Sequence, residues 1–246
     1  MKTTSFDKFA EAYDKEMGGA GSYTKTKTID PALIEASGTI KDKTIYDIAC
    51  GNGHLARKMV QLSAKEVWAS DISSILIKIA KSRYPSKGIK YLVREGLNFK
   101  DIPVNYFELI TINMAINYIS NLDFFFKGLH RLLKTDGRFA FTSDHPLRGL
   151  GLYDLKHDRT ITDVINKAKR YHEEYTQMTN NLWPGKNDLY TYRRPLSLYS
   201  KLLTKNRFYI NAIVEPKTCT TTKTAGGEKV FTTIPIIFAM GAVKSD

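Results

Sequence analysis

Two hydrophobic rhythms alternate along the first half of the chain. Thr44 to Ala49 is a short apolar run with β-branched residues, and Leu55, Met59 and Leu62 follow at helical spacing. Glu66 to Ser70 reads as a second strand closed by Asp71. Ser74 to Ser82 reads as a helix with Ile75, Leu76 and Ile79 on one side. Lys90 to Val93 is a third strand. Phe107 to Ile112 is almost wholly apolar, the pattern of a central parallel strand. Leu122 to Leu133 is a helix stopped at Asp136-Gly137, and Arg138 to Thr142 is a fifth strand. This alternation predicts a doubly wound, Rossmann-like α/β fold with a seven-stranded, mostly parallel sheet.

The rhythm breaks between Pro146 and Pro195, where no clean strand is visible. Thr162 to Gln177 predicts a helix capped by Thr160 or Thr162, and Asn180 to Asn187 a loop. The stretch is too long for a plain connection, so residues 146–195 are expected to form a cap inserted between strands five and six. A helix over Leu196–Thr204, a strand over Tyr209–Val214 and a long last strand over Val230–Val243 follow. Thr218 to Glu228, with Gly226-Gly227, suits a hairpin, so the last strand is expected to be antiparallel. Residues 1–40 precede the first strand, and Phe6, Phe9, Ala10 and Tyr13 are spaced as a helix that can lie over the mouth of a site. The 246 residues are expected to form one domain.

Composition changes this picture little. It is 42% hydrophobic and 25% charged, ordinary for a soluble globular protein. No apolar run is long enough to cross a bilayer, and Met1 to Asp7 do not resemble a secretory signal, so the expected location is cytoplasmic. Cys50 and Cys219 form neither a metal-ligand spacing nor a disulfide framework, and Cys50 reads as a small buried filler. The net charge of +12 attracts anions, but Lys25, Lys27, Lys41, Lys43, Lys78, Lys81, Lys87, Lys90, Lys201 and Lys205 are scattered rather than blocked. A nucleic-acid partner is therefore open but not favoured.

The segment that carries chemistry is Ile45-Tyr46-Asp47-Ile48-Ala49-Cys50-Gly51-Asn52-Gly53-His54-Leu55. A strand runs into a turn with two glycines and then a helix with free N–H groups at its start. Asp71 ends the second strand, where a carboxylate can accept both hydroxyls of a ribose. Gly51-x-Gly53-x-x-Ala56 formally fits a dinucleotide fingerprint, so two cofactor classes match this geometry. Three features favour S-adenosylmethionine. Asp47 inside the strand can face an amino-acid ammonium, about 40 residues precede the strand, and Glu95-Gly96 after the third strand can meet an adenine amine.

At these residues the chain resembles the class I S-adenosylmethionine-dependent methyltransferases, in particular their small-molecule, ubiquinone/menaquinone-type subgroup. Asp47 to Gly53 and Val67 to Ser73 look like the first two motifs of that class. Phe107-Glu108-Leu109-Ile110 resembles its fourth-strand motif, and Leu132 to Phe139 the turn before its fifth strand. Ser143-Asp144-His145-Pro146, Tyr192-Arg193-Arg194, Tyr199 and Val214-Glu215-Pro216 are similar to the subgroup's later motifs, and Phe6 to Asp14 to its N-terminal one. The resemblance implies that Asp47, Ala49, Gly51, Gly53, Asp71, Ile72, Gly96, Leu97 and Asn113 surround S-adenosylmethionine. It also implies that Tyr23 and Lys27 approach its carboxylate.

Three positions depart from the family pattern. Ala49 stands for a glycine, a mild change if its φ stays negative. Asn206 stands for a glycine before the sixth strand, and asparagine tolerates the left-handed conformation. Glu95-Gly96 replaces a commoner Asp-Ala pair.

His145 is the candidate general base, since it titrates in the right range; the competing reading is a residue that merely ends the fifth strand. Tyr171, His172, Tyr175, Trp183, Tyr190 and Tyr192 can wall an acceptor pocket or pack on a helix face. Arg193 and Arg194 can hold an anionic acceptor or the cofactor's carboxylate. Asn113 to Tyr118 lacks the sequences used on planar amide or adenine nitrogens and on cytosine carbon. The expected reaction is methyl transfer to an oxygen or nitrogen of a small molecule. An RNA or protein methyltransferase, or a non-catalytic cofactor-binding domain, is the alternative.

Overall fold

The computed structural model describes residues 6–150, 161–169, 171–178, 190–217 and 235–246. Its centre is a seven-stranded sheet in the order β3-β2-β1-β4-β5-β9-β8. The strands are β1 (Thr44–Ile48), β2 (Glu66–Asp71), β3 (Ile89–Val93), β4 (Phe107–Asn113), β5 (Leu133–Asp144), β8 (Phe208–Val214) and β9 (Ile237–Lys244). The first five pair in parallel. β9 lies antiparallel between β5 and β8, as expected for the last strand.

From β1 the chain winds outward to β3 and then returns to the other side of β1 as β4. The strand order therefore reverses between β1 and β4. Ligands of open α/β sheets bind in the crevice at such a reversal, outside the carboxyl ends of the strands.

Alternation along the strands builds two apolar layers. Tyr46, Ile48, Ile110, Ile112, Phe139 and Phe141 join Phe125 and Phe126 of α5 (Leu122–Leu132) and Tyr199 and Leu203 of α7 (Leu196–Lys205). On the other face, Ile45, Val67, Leu109 and Ala140 meet Leu33 and Ala36 of α2 (Asp30–Ser37) and Leu55 and Met59 of α3 (His54–Gln61). Ser73 caps α4 (Ser74–Ser82), its hydroxyl accepting from Leu76 N at 3.1 Å, and Asn121 caps α5 in the same way.

Between β5 and α7 the structure departs from the sequence expectation. The helix α6 covers only Ile161–Lys169, and the chain then turns into β6 (Tyr175–Met178), which pairs antiparallel with β7 (Tyr190–Arg193) as a separate two-stranded sheet. The expected helix to Gln177 therefore ends early, and this region does contain strands. The Asn180–Asn187 loop, Trp183 and the Thr218–Glu228 hairpin lie outside the described residues. The last strand starts at Ile237, and Asp136-Gly137 is absorbed into the irregular start of β5, Asp136 carrying φ 59°. Among the described residues no helix is long and apolar enough to cross a membrane.

Candidate functional site

β1 ends in a loop whose alternate residues are left-handed: Ala49 (φ 57°), Gly51 (58°) and Gly53 (78°). The φ of Ala49 is positive, so its replacement of a glycine is not the mild change that a negative φ would make it. Such a φ strains an L-residue by about 1–2 kcal/mol, a cost that the surrounding contacts must hold in place. At Gly51 a side chain is excluded for a second reason, because a Cβ there would lie 2.8 Å from the Tyr13 hydroxyl. Asp71 at the end of β2 ties the loop down. Its Oδ2 accepts from Gly51 N (2.8 Å) and its Oδ1 from Ser73 N (2.9 Å). Burial pushes the Asp71 carboxyl up to about 6 despite these amides. Ile72 is half-buried next to it. Gly96 and Leu97 are half-buried in the turn after β3, while Glu95 points to solvent.

Asp47 lies on the α2/α3 face of β1, where the pattern calls for an apolar residue. It is fully buried; its Oδ1 accepts from Thr111 Oγ1 (2.9 Å), and its Oδ2 has no partner among the described residues. Burial raises its carboxyl to about 7, the Thr111 hydrogen bond and the Lys25 charge opposing.

Asp30, at the start of α2, is equally buried. It receives Asn113 Nδ2 (3.0 Å) and faces His54 Nε2 (3.3 Å) and Lys58 Nζ (3.5 Å). Burial opposes its ionisation, but the His54 hydrogen bond and the Lys25 and Lys58 charges outweigh it and hold Asp30 below the usual carboxylate range. His54, lowered by burial against that same hydrogen bond, leaves its Nδ1 unpartnered among the described residues.

Lys25 completes this cluster. It is buried, its ammonium senses Asp30 and Asp47, and its Nζ makes no hydrogen bond with any described residue. The two residues expected here are elsewhere: Tyr23 is 63% exposed and Lys27 also faces solvent. The reason is local. Lys25–Ile29 is a π-helical turn, and its wider winding rotates Lys25 rather than Lys27 inward.

The N-terminal segment lies against the loop. Asp14 of α1 (Ala10–Met17) accepts from Asn52 Nδ2 (2.7 Å) and Arg83 Nη1 (2.7 Å). Arg57 donates to the carbonyls of Asn52 (2.7 Å) and Gly19 (2.6 Å). Asp7 accepts from the Ser73 hydroxyl (2.6 Å), while the neighbouring Phe6 ring packs edge-on against Tyr118 at 5.2 Å. Residues 6 and 7 thus reach from the end of β2 to the loop after β4, spanning the crevice.

On the far side, Asn113 ends β4 and accepts from Thr142 Oγ1 (2.7 Å) as well as donating to Asp30. Ser143 bonds to Asn117 (2.6 Å), and Asp144 ends β5 between Arg148 and Arg193, the latter at 2.7 Å. His145 is buried with both ring nitrogens engaged. Its Nδ1 accepts from Leu147 N (3.1 Å), so Nε2 carries the proton and donates to Glu215 Oε1 (2.8 Å). In this geometry the expected base presents no nitrogen to an acceptor.

Arg194 is also committed. It pairs with Glu174 (2.6 Å), donates to the Ile119 carbonyl (2.7 Å) and lies over the Tyr192 ring at 4.6 Å. Tyr190 is exposed and Tyr171 stacks edge-on with His172. Lys25, Asp30 and His54 line this candidate site and were not singled out in the sequence. The one visible signal was Asp30-Pro31, a helix-start signature whose acid need not have been a surface cap.

Residues 46–141 match the family model described as a methyltransferase domain. An uncharacterized protein of Haemophilus influenzae is 25% identical over 221 residues, covering 85% of this chain and 84% of that one. A ubiquinone/menaquinone biosynthesis C-methyltransferase, UbiE, of Francisella tularensis is 32% identical over 111 residues, 43% of this chain and 44% of its own length. The crystal structure of an S-adenosylmethionine-dependent methyltransferase from Mesorhizobium loti superposes with a TM-score of 0.69 at 22% identity, over 87% of this chain and 96% of that one. Strand order, the methyltransferase domain matched over residues 46–141 and these relatives together support a class I S-adenosylmethionine-dependent methyltransferase.

Proposed function

We propose that the enzyme methylates a small molecule bound in the crevice between the loops after β1, β4 and β5. The observation that carries this reading is the N-terminal strap. Asp7 on Ser73, Asp14 on Asn52 and Phe6 on Tyr118 cover the crevice, so a folded macromolecule would have to displace three anchors to enter. Residues 1–40 act as a lid in this reading, and residues 146–195 as the acceptor cap. The net charge of +12 favours an RNA or protein acceptor instead, but the lysines are scattered over the sequence.

The residues present fit S-adenosylmethionine. The orphan Oδ2 of Asp47 is a buried acceptor awaiting a donor, and an amino-acid ammonium supplies one. Lys25, a buried cation without a hydrogen-bond partner among the described residues, suits the carboxylate on the same carbon. Gly51 and Gly53 keep the loop open to close approach, with Ala49 beside them. Asp71 holds the ribose hydroxyls, while Ile72, Gly96 and Leu97 flank the adenine. Asn113 borders the methionyl end. Bound there, S-adenosylmethionine supplies a methyl group on an electron-poor sulfur. The chain's own contribution is to orient the acceptor and exclude water. His145 serves by fixing the end of β5 to Glu215.

The acceptor atom is read as oxygen or nitrogen. UbiE, named a C-methyltransferase, supports carbon as the alternative. Incubation of the enzyme and isotope-labelled S-adenosylmethionine with a fractionated cell extract tests the proposal. Label recovered in a small organic product supports it, and the methyl's chemical shift names the atom. Label confined to RNA or protein would overturn it.

A further inference from the structure

The loop after β4 and the end of β5 carry a charged group that none of the cofactor contacts uses. Asp144 Oδ1 pairs with Arg148, and Asp144 Oδ2 receives Arg193 Nη1 (2.7 Å) and Asn117 Nδ2 (3.5 Å). Two guanidinium groups thus flank one carboxylate. Asp144 itself is saturated with donors and offers little to a cation. Arg148 gives one Nη1 hydrogen to Asp144, and its side chain is 40% exposed; its other N–H groups have no partner among the described residues.

Tyr118 faces the same cluster. Its ring is locked edge-on by Phe6, and its hydroxyl makes no hydrogen bond with any described residue. Burial, and then the Asp144 charge, push this phenol up to about 12, so it remains a proton donor across the physiological range. A fixed phenolic donor and a partly free guanidinium, set side by side at the carboxyl ends of β4 and β5, match one kind of ligand. That ligand accepts hydrogen bonds and carries negative charge. An ammonium-bearing acceptor would meet two like charges and a carboxylate already in use.

We propose, resting on the small-molecule reading above, that the methyl acceptor carries an oxyanion, a carboxylate or a phosphate, recognised by Arg148 and the Tyr118 hydroxyl. The site then selects acceptors already charged opposite to the sulfonium.

The test measures binding to the full chain saturated with S-adenosylhomocysteine, by calorimetry or ligand-observed NMR. The probes are benzoate, phenyl phosphate, and the uncharged and cationic controls benzamide and benzylamine. One or both oxyanions are expected to bind more tightly than the controls, and the stronger of the two tells carboxylate from phosphate. Arg148→Gln should weaken that binding roughly ten- to hundredfold and Tyr118→Phe roughly two- to tenfold. Arg148→Gln should leave S-adenosylhomocysteine affinity unchanged, which also shows that this variant is folded, while circular dichroism checks the fold of Tyr118→Phe, which keeps the ring that packs on Phe6. Tighter binding of benzamide or benzylamine, no binding of either oxyanion, or wild-type oxyanion affinity in Arg148→Gln would overturn the inference. No binding of S-adenosylhomocysteine by the wild-type chain would overturn the cofactor assignment instead, so the two failures are distinguishable.

Discussion

Replacing Asp47 by Asn separates what the residue costs from what it does. In the wild-type chain its carboxyl titrates near 7 because it is buried, against an ordinary value of 3.8. The folded state therefore binds a proton that the unfolded state has lost between these two values. The stabilising effect is complete below 3.8 and disappears as the pH rises through about 7. At about 1.4 kcal/mol per pH unit, the ionised carboxylate costs on the order of 4 kcal/mol at pH 8. Asn keeps an oxygen for Thr111 and removes the charge, but it leaves an amide where Oδ2 was orphaned, at about 1–3 kcal/mol. The net is a gain of about 1–3 kcal/mol, a rise of several degrees in Tm at pH 8. Little change is expected at pH 5, where the cost accrued above 3.8, about 1.6 kcal/mol, is matched by the penalty of the added amide.

Binding moves the other way. A carboxylate that meets an ammonium is worth about 1.5–3 kcal/mol, so the variant should bind S-adenosylhomocysteine roughly 10- to 150-fold more weakly by calorimetry. Wild-type affinity should rise with pH up to about 7, as Asp47 ionises, and the Asn variant should be flat. A variant that binds S-adenosylhomocysteine as tightly as the wild type, with an unchanged pH profile, would refute the ammonium assignment.

Asp71→Asn removes an acceptor from both the ribose and the loop amides of Gly51 and Ser73; a loss of about 1–3 kcal/mol in denaturant stability should accompany at least tenfold weaker cofactor binding. Weaker binding without any stability loss would argue against the loop-anchoring role. Arg207→Gly relieves an exposed left-handed residue (φ 59°) and, after the entropy glycine adds to the unfolded chain, should stabilise by about 0.5–1 kcal/mol in urea titration. A destabilised variant would show that the Arg207 side chain has a contact of its own. Asp14→Ala removes the α1 carboxylate that holds Asn52 and one of the two α1 partners of Arg83, which keeps Glu11, and should speed S-adenosylhomocysteine release several-fold in stopped-flow measurements. An unaltered release rate would remove the lid role from the N-terminal segment.

The parallel core was legible because its signals are local. β1, β2 and β4 are short apolar runs between glycine, serine and aspartate breakers, and their observed limits lie within two residues of the expected ones. What failed depended on partners distant in sequence or on backbone phase. Tyr175–Met178 carries no breaker before it and continues a polar helical pattern; only pairing with Tyr190–Arg193 makes it a strand. Lys25 and Lys27 are indistinguishable until the π-turn fixes which side faces in. At the end of α7 the left-handed residue is Arg207, while Asn206 keeps φ −96° because the helix runs one residue further and the Asn206 amide is used on Asp123 (2.8 Å). The partner of His145, Glu215, lies 70 residues away, beyond any local pattern.

Several places where the chain breaks local rules lie together. Ala49 is left-handed without being glycine, and Met114, at the end of β4, is too. Asp47 and Lys25 are buried without full partnership, and the π-turn stands directly before α2. Each is unfavourable by itself, and all adjoin the carboxyl ends of β1 and β4, where the strand order reverses. A fold tolerates strain and orphaned charge where a ligand will complete them, and these outliers mark such a place. A zwitterion, ammonium toward Asp47 and carboxylate toward Lys25, satisfies both unpaired groups together. A pyrophosphate would satisfy Lys25 and oppose Asp47. The placement of Asp47 and Lys25 therefore discriminates between the two cofactor classes that the glycine loop alone leaves open.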